Sequence, residues 1–66
     1  MRVTLKAARV NKGLKLDEVT EKTGFAKTTL ISWEKEEVYP RIDQLSTLCG
    51  VYDCSPADII FPSITT

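Results

Sequence analysis

Apolar residues recur three and four positions apart through most of the chain, which is the spacing of one face of a helix. The first such segment, residues 4–11, carries Leu5 and Ala8 on one face and begins at Thr4, a residue type that caps helices well. Glycines and prolines interrupt the pattern and divide the chain into pieces of helical length. These interruptions are Gly13, Gly24, Pro40, Gly50, Pro56 and Pro62. The pattern predicts an all-α domain of five short helices.

A second helix is predicted over residues 16–23 and a third over residues 27–35, with a turn at Gly24 between them. In the third helix Leu30 and Trp33 share one face, which predicts that both belong to the core. The polar residues on another face of this helix are Lys27, Thr28 and Ser32. Two helices joined by a short turn containing glycine have the general form of a helix-turn-helix unit, although any helical hairpin has a similar pattern.

A fourth helix is predicted over residues 42–49, or on to residue 51, and a fifth over residues 56–61. The fourth carries one apolar stripe, formed by Ile42, Leu45, Leu48 and Cys49. The fifth has a strong start signal, because Ser55 can cap it and a proline follows at the first helical position.

The length of 66 residues allows one domain, with its core at about residues 4–61 and a flexible tail at residues 62–66. The composition, 42% hydrophobic and 27% charged, is typical of a globular domain. The formal net charge is zero but unevenly distributed. Residues 1–35 contain eight Lys or Arg against four Asp or Glu, and residues 36–66 contain one against five. The first half is therefore expected to form a basic face that attracts a polyanion.

Several function classes are disfavoured by features that the sequence lacks. No apolar run reaches the roughly 18–20 residues that span a membrane, and the N-terminus lacks the apolar core of a signal peptide. The expected compartment is therefore the cytoplasm. The chain has no histidine and no phosphate-binding glycine loop, so we expect no enzyme, no metal and no other cofactor. Cys49 and Cys54 are interpreted as buried thiols in an apolar pattern, in preference to metal-binding or redox residues.

The second and third helices carry a more specific resemblance. The segment GLKLDEVTEKTGF at residues 13–25 is similar to the first half of the Cro/cI-type, lambda-repressor-like helix-turn-helix family. The segment KTTLISWE at residues 27–34 resembles that family's recognition helix, and Pro40 stands six residues after Glu34, as is typical there. Matching apolar positions of the fourth helix are Ile42, Leu45, Leu48, Cys49 and Tyr52, and matching positions of the fifth are Ser55 and Ile59. The resemblance covers about residues 4–61.

The resemblance implies a DNA-binding domain whose third helix enters the major groove with its exposed N-terminal residues. The implied base-contacting residues are Lys27, Thr28 and Ser32, which carry groups able to bond base edges. The implied phosphate-contacting residues are Lys15, Leu16, Thr29 and Lys35. The resemblance also suggests that Arg9 and Glu34 form an internal ion pair between the first and third helices.

The chain departs from the family's pattern at three places. Glu36 stands where a glycine is typical and Glu37 where basic residues follow, so two carboxylates occupy a region that often contacts phosphate. Lys15 and Ala26 replace residues that cap helices well. Leu16 replaces a polar residue that can bond phosphate. We therefore expect weak DNA binding by a monomer and a need for a dimer or a partner.

Two functions remain open on the sequence alone. The first is a sequence-specific transcriptional regulator, a small repressor of phage or mobile-element type that binds double-stranded DNA as a homodimer. The expected dimer surface lies around the fifth helix, with the apolar residues Ile60, Phe61 and Ile64. The second function is a protein-interaction module, such as the antitoxin or adaptor half of a complex, which the acidic Glu36 and Glu37 favour.

Overall fold

The computed structural model describes residues 2–62, and the described residues form an all-helical domain. Its elements are α1 (Leu5–Asn11), α2 (Leu16–Thr23), α3 (Lys27–Glu34), α4 (Ile42–Tyr52) and a 3-10 helix (Pro56–Asp58). The predicted all-α class is confirmed, and the first four helices fall close to their predicted positions. Residues 63–66, which make up most of the predicted tail, lie outside the described residues.

Polar groups at the helix ends explain these boundaries. Thr4 Oγ1 accepts a hydrogen bond from the Ala7 N–H at 3.2 Å and caps α1. Lys15 has no side-chain acceptor for the start of α2, but its own N–H donates to Glu18 Oε1 at 2.9 Å. This bond satisfies one of the free donors at that end and partly compensates for the poor cap that the sequence predicts.

The predicted fifth α-helix is wrong, because the chain forms only a 3-10 turn at Pro56–Asp58. Ser55 caps this turn as predicted, accepting from the Ala57 N–H at 3.3 Å. Beyond it, the Ile60 N–H donates to the Val3 carbonyl at 2.9 Å, and the Val3 N–H donates to the Asp58 carbonyl at 2.7 Å. Pairing with the N-terminal segment therefore takes the backbone groups that a continuing helix would need.

The core lies where α2 packs against α3 and α4 and where α1 packs against α3. Its buried residues are Leu5, Ala8, Val19, Leu30, Trp33, Leu45, Leu48, Cys49, Tyr52 and Ile59. None of the helices within residues 2–62 has the length and apolar character to cross a membrane.

The predicted apolar stripe of α4 is wrong at Ile42, whose side chain is 71% exposed. Ile42 is the first residue of α4, and helical side chains lean towards the helix N-terminus. Its side chain therefore points beyond the start of the helix, and burial begins one turn later at Leu45.

Candidate nucleic-acid interface

A tight turn joins α2 to α3. Gly24 adopts the left-handed conformation, with φ of 80°, and its N–H donates to the Thr20 carbonyl at 2.8 Å. Thr23 Oγ1 donates to the Val19 carbonyl at 2.7 Å and accepts from the Phe25 N–H at 3.2 Å. The turn is thus fixed on both sides of the glycine, which sets the direction of α3 relative to α2.

The inner face of α3 anchors it to the rest of the domain. Leu30 and Trp33 are both buried, so the prediction that they belong to the core is confirmed. The Phe25 and Trp33 rings meet edge to face, with centroids 5.1 Å apart and an interplanar angle of 79°. Because the inner face is packed, the polar face of α3 is presented from a rigid support.

A two-pronged ion pair fixes the C-terminal end of α3. Arg9 Nε donates to Glu34 Oε2 at 2.7 Å, and Arg9 Nη2 donates to Glu34 Oε1 at 3.1 Å. Arg9 Nη1 also donates to the Leu14 carbonyl at 3.0 Å. The two charged side chains are only 13% and 10% exposed, and the hydrogen bond to Glu34 raises the pKa of Arg9. The predicted internal ion pair is confirmed.

The outer face of α3 carries the predicted base-contacting residues. Lys27 and Thr28 are exposed in its first turn, and Ser32 is half-buried one turn further on. Thr28 and Ser32 are four positions apart, so they lie on the same side of the helix. Lys27 precedes Thr28 by one position and lies at the edge of this side, towards the start of α2. Contact of the three side chains with bases stays a prediction.

Lys27 has a partner that sequence reasoning missed. Its Nζ lies 3.1 Å from Asp17 Oδ1, in the first turn of α2. The two side chains are 53% and 79% exposed, so the pair is solvated and contributes at most about 1 kcal/mol. Both residues lie in the first turn of a helix, and only the angle between the two helices brings those turns together.

The predicted phosphate-contacting residues flank this face. Lys15, just before α2, and Lys35, just after α3, are exposed, and Thr29 is half-buried. The side chain of Leu16 packs against the core. A phosphate contact at Leu16 would therefore be made by its backbone N–H at the start of α2. No contact with phosphate is tested by the fold, so these four assignments also stay predictions.

The end of α3 requires an unusual backbone conformation at Glu36, whose φ is 61°. The Glu36 N–H donates to the Trp33 carbonyl at 3.1 Å, and the Glu37 N–H donates to the Ser32 carbonyl at 3.0 Å. These two bonds form the Schellman turn that usually places glycine at the left-handed position. The glycine that the family pattern places here therefore has a structural reason, and this chain carries a carboxylate side chain in its place.

A second irregularity lies inside α2, where the buried Thr20 Oγ1 has no hydrogen-bond partner among the residues described. An unsatisfied buried hydroxyl is destabilising, because it gives up its bonds to water.

The apolar residues expected at the dimer surface are less available than the sequence suggests. Ile60 and Phe61 are both half-buried, and the Phe61 ring packs edge to face on Tyr39 with centroids 5.3 Å apart. Ile64 lies outside the described residues. Tyr39 itself is exposed, and so are Val38 and Ile42, which lie within three positions of it along the chain.

A family model described as a Cro/C1-type HTH DNA-binding domain matches residues 4–61. No curated protein and no solved structure matches the chain significantly.

Proposed function

Because the chain belongs to the Cro/C1-type helix-turn-helix DNA-binding domain family, we propose that it is a sequence-specific transcriptional regulator that inserts α3 into the major groove of operator DNA. Its proposed class is a small repressor of phage or mobile-element type, acting in the cytoplasm. The observation that carries the proposal is the construction of α3. Its inner face is buried through Leu30 and Trp33, while Lys27 and Thr28 stand exposed in its first turn.

The first experiment is selection of bound duplexes from a random DNA pool, followed by titration of the recovered sequence at several salt concentrations. We expect enrichment of a defined site and an affinity that falls steeply with salt, because lysine contacts release counterions from phosphate. Absence of binding even at low salt would refute the proposal.

Single substitutions then separate the two kinds of predicted contact. Lys27→Ala and Thr28→Ala should each weaken binding to the selected site by roughly 5- to 150-fold and relax its sequence preference. Lys15→Ala and Lys35→Ala should weaken binding to all sequences alike and reduce the salt slope by about 1 each. The matched control is Lys12→Ala, because Lys12 is an exposed lysine outside α2 and α3 that pairs with Asp53 at 3.5 Å.

Asp17 gives a test with the opposite sign. Its carboxylate holds Lys27 in an exposed ion pair, and it is a negative charge next to the proposed reading face. Asp17→Asn should therefore raise the affinity for DNA, because the lysine is released and a charge that repels phosphate is removed. Reduced affinity in this variant would show that Asp17 positions Lys27 for binding.

We propose that the regulator binds as a homodimer, since operators with two-fold symmetry present two half-sites. Because Ile60 and Phe61 are half-buried, the surface that we assign to the contact is the exposed segment with Val38, Tyr39 and Ile42. An exposed pair of opposite charges in this segment, Arg41 Nε and Asp43 Oδ1 at 3.6 Å, suits a two-fold contact. In such a contact each copy can offer its cation to the other's anion.

The dimer is tested with Ile42→Ser, and Val10→Ser is the control because Val10 is also a β-branched, exposed apolar residue but lies on α1. Ile42→Ser should lower the affinity for a two-half-site duplex and leave binding to one half-site unchanged. Sedimentation should show fewer dimers for Ile42→Ser than for Val10→Ser. Equal effects of the two variants would refute this dimer surface.

The second candidate function is a protein-interaction module, such as the antitoxin or adaptor half of a complex. The observation that favours it is the acidic Glu37, exposed beside the apolar Val38 and Tyr39 just after α3. A pull-down with and without nuclease separates the two functions. A protein partner retained after nuclease treatment, together with no DNA binding at low salt, would support this alternative.

A further inference from the structure

The C-terminal end of α4 brings the two cysteines together. Asp53 adopts the left-handed conformation with φ of 58°, and its N–H donates to the Cys49 carbonyl. The Cys54 N–H donates to the same carbonyl at 3.0 Å. Such a turn places the side chains of its first and last residues in contact. The thiols of Cys49 and Cys54 are both free, and Cys54 packs against the core cluster that contains Cys49.

The two thiols differ in their access to solvent. Cys49 is 2% exposed and belongs to the core. Cys54 is half-buried and lines a small surface cavity of about 180 Å³, together with Lys12, Asp53 and others. Cys54 is therefore the more accessible of the two cysteines to a reagent in solution.

We propose that this turn is a thiol–disulfide exchange site, at which Cys49 and Cys54 form an intramolecular disulfide at the expense of a low-molecular-weight disulfide of the glutathione type. In the first step the thiolate of Cys54 attacks one sulfur of oxidised glutathione and forms a mixed disulfide. The displaced glutathione thiolate takes up the proton that Cys54 gave to solvent.

In the second step Cys49 loses its proton and attacks the Cys54 sulfur, which releases the second glutathione. Two protein thiols are oxidised and one glutathione disulfide is reduced to two thiols, so electrons and protons balance. Burial raises the pKa of the Cys49 thiol, which supports its place as the second, resolving residue. Contact between the two side chains compensates for its low reactivity, since the second step is intramolecular.

The experiment treats the folded, reduced chain with oxidised glutathione, stops the reaction with acid and measures intact mass and peptide adducts. We expect a transient glutathione adduct on Cys54, followed by a product about 2 Da lighter than the reduced chain, with no alkylatable thiol. Cys49→Ala should stop at a stable adduct about 305 Da heavier, and Cys54→Ala should react at least roughly tenfold more slowly than wild type.

The same reaction in denaturing urea is the matched control, because unfolding removes the difference in access between the two cysteines. There both thiols should form adducts at similar rates. If Cys49→Ala fails to fold, as judged by circular dichroism, the order in which glutathione adducts form on the two cysteine peptides of the wild-type chain shows which cysteine reacts first. First attack at Cys49, stable adducts on both cysteines or a disulfide between two chains would overturn the proposal, as would no reaction of the folded chain.

Discussion

Replacing Glu36 by glycine is expected to stabilise the domain, because Glu36 occupies a left-handed position with φ of 61° at the end of α3. The Schellman turn at this end requires a left-handed residue. Its two backbone hydrogen bonds run from the Glu36 N–H to the Trp33 carbonyl and from the Glu37 N–H to the Ser32 carbonyl. An L-residue with a Cβ is strained in that region, and glycine is not.

The size of the effect follows from two opposing terms. The left-handed conformation costs an ordinary L-residue about 1–2 kcal/mol. Glycine loses more backbone entropy on folding, which costs about 0.5–1 kcal/mol. The expected gain in the free energy of unfolding for Glu36→Gly is therefore about 0.5–1 kcal/mol, which corresponds to a rise in Tm of about 2–8 °C for a domain of this size.

Urea and thermal unfolding measure this gain, and Glu36→Ala is the control because it removes the carboxylate but keeps a Cβ. We expect Glu36→Ala to be no more stable than wild type. Affinity for DNA should rise in both variants by a similar factor, since each removes one negative charge next to the proposed interface. The free energy of unfolding thus tests the strain in the backbone at residue 36, and the affinity for DNA tests the effect of the negative charge.

Two results would refute the reasoning. Equal stabilisation by Glu36→Ala and Glu36→Gly would show that the side chain, and not the backbone conformation, is the source of the cost. A Glu36→Gly variant no more stable than wild type would show that the turn is not strained.

Five further substitutions test other parts of the fold, each by urea unfolding. Thr20→Val should raise stability by about 1 kcal/mol, because it keeps the shape and removes a buried hydroxyl that has no partner in the described part of the chain. Gly24→Ala should lower stability by about 1 kcal/mol because its φ is 80°, whereas Gly50→Ala, inside α4 with open space around it, should raise stability by about 0.4–1 kcal/mol. Arg9→Met should lower stability by about 2–4 kcal/mol, because it leaves the carboxylate partner of this ion pair nearly buried and uncompensated. Burial raises the pKa of Tyr52 from 10.0 to about 12, so the folded state holds this proton more tightly and stability should fall as pH rises from about 10 to 12. Tyr52→Phe should have a shallower alkaline decline.

Each of these expectations has a contradicting outcome. Loss of stability in Thr20→Val would mean that the hydroxyl is satisfied, for example by water. The same sign for Gly24→Ala and Gly50→Ala would mean that backbone conformation does not distinguish the two glycines. A stability change below 1 kcal/mol for Arg9→Met would mean that the ion pair is structurally dispensable. An unchanged alkaline decline in Tyr52→Phe would assign that decline to other groups.

The sequence was sufficient for features that depend on neighbours along the chain. Helical periodicity and end signals such as Thr4 and Gly24 located four helices, because these signals act over one or two turns. Resemblance to the family identified Arg9 and Glu34 as partners although they are 25 positions apart. The prediction of a fifth α-helix was wrong, because the local signals at Ser55 and Pro56 specify where a helical element begins but not how long it is.

The tertiary structure decided the side-chain pairs, helix ends and exposures that depend on contacts between different elements. The angle between α2 and α3 places Asp17 against Lys27, which neither helix reveals by itself. Pairing with Val3 ends the helical conformation before Ile60. The backbone N–H of Ile60 donates to the Val3 carbonyl and is therefore not used in a helical hydrogen bond. Ile42 lies in solvent because it is the first residue of α4 and its side chain leans beyond the start of the helix. The sequence by itself therefore determined the helices and the face that α3 offers, and the packing of those helices determined which side chains on that face and around it are free to bind.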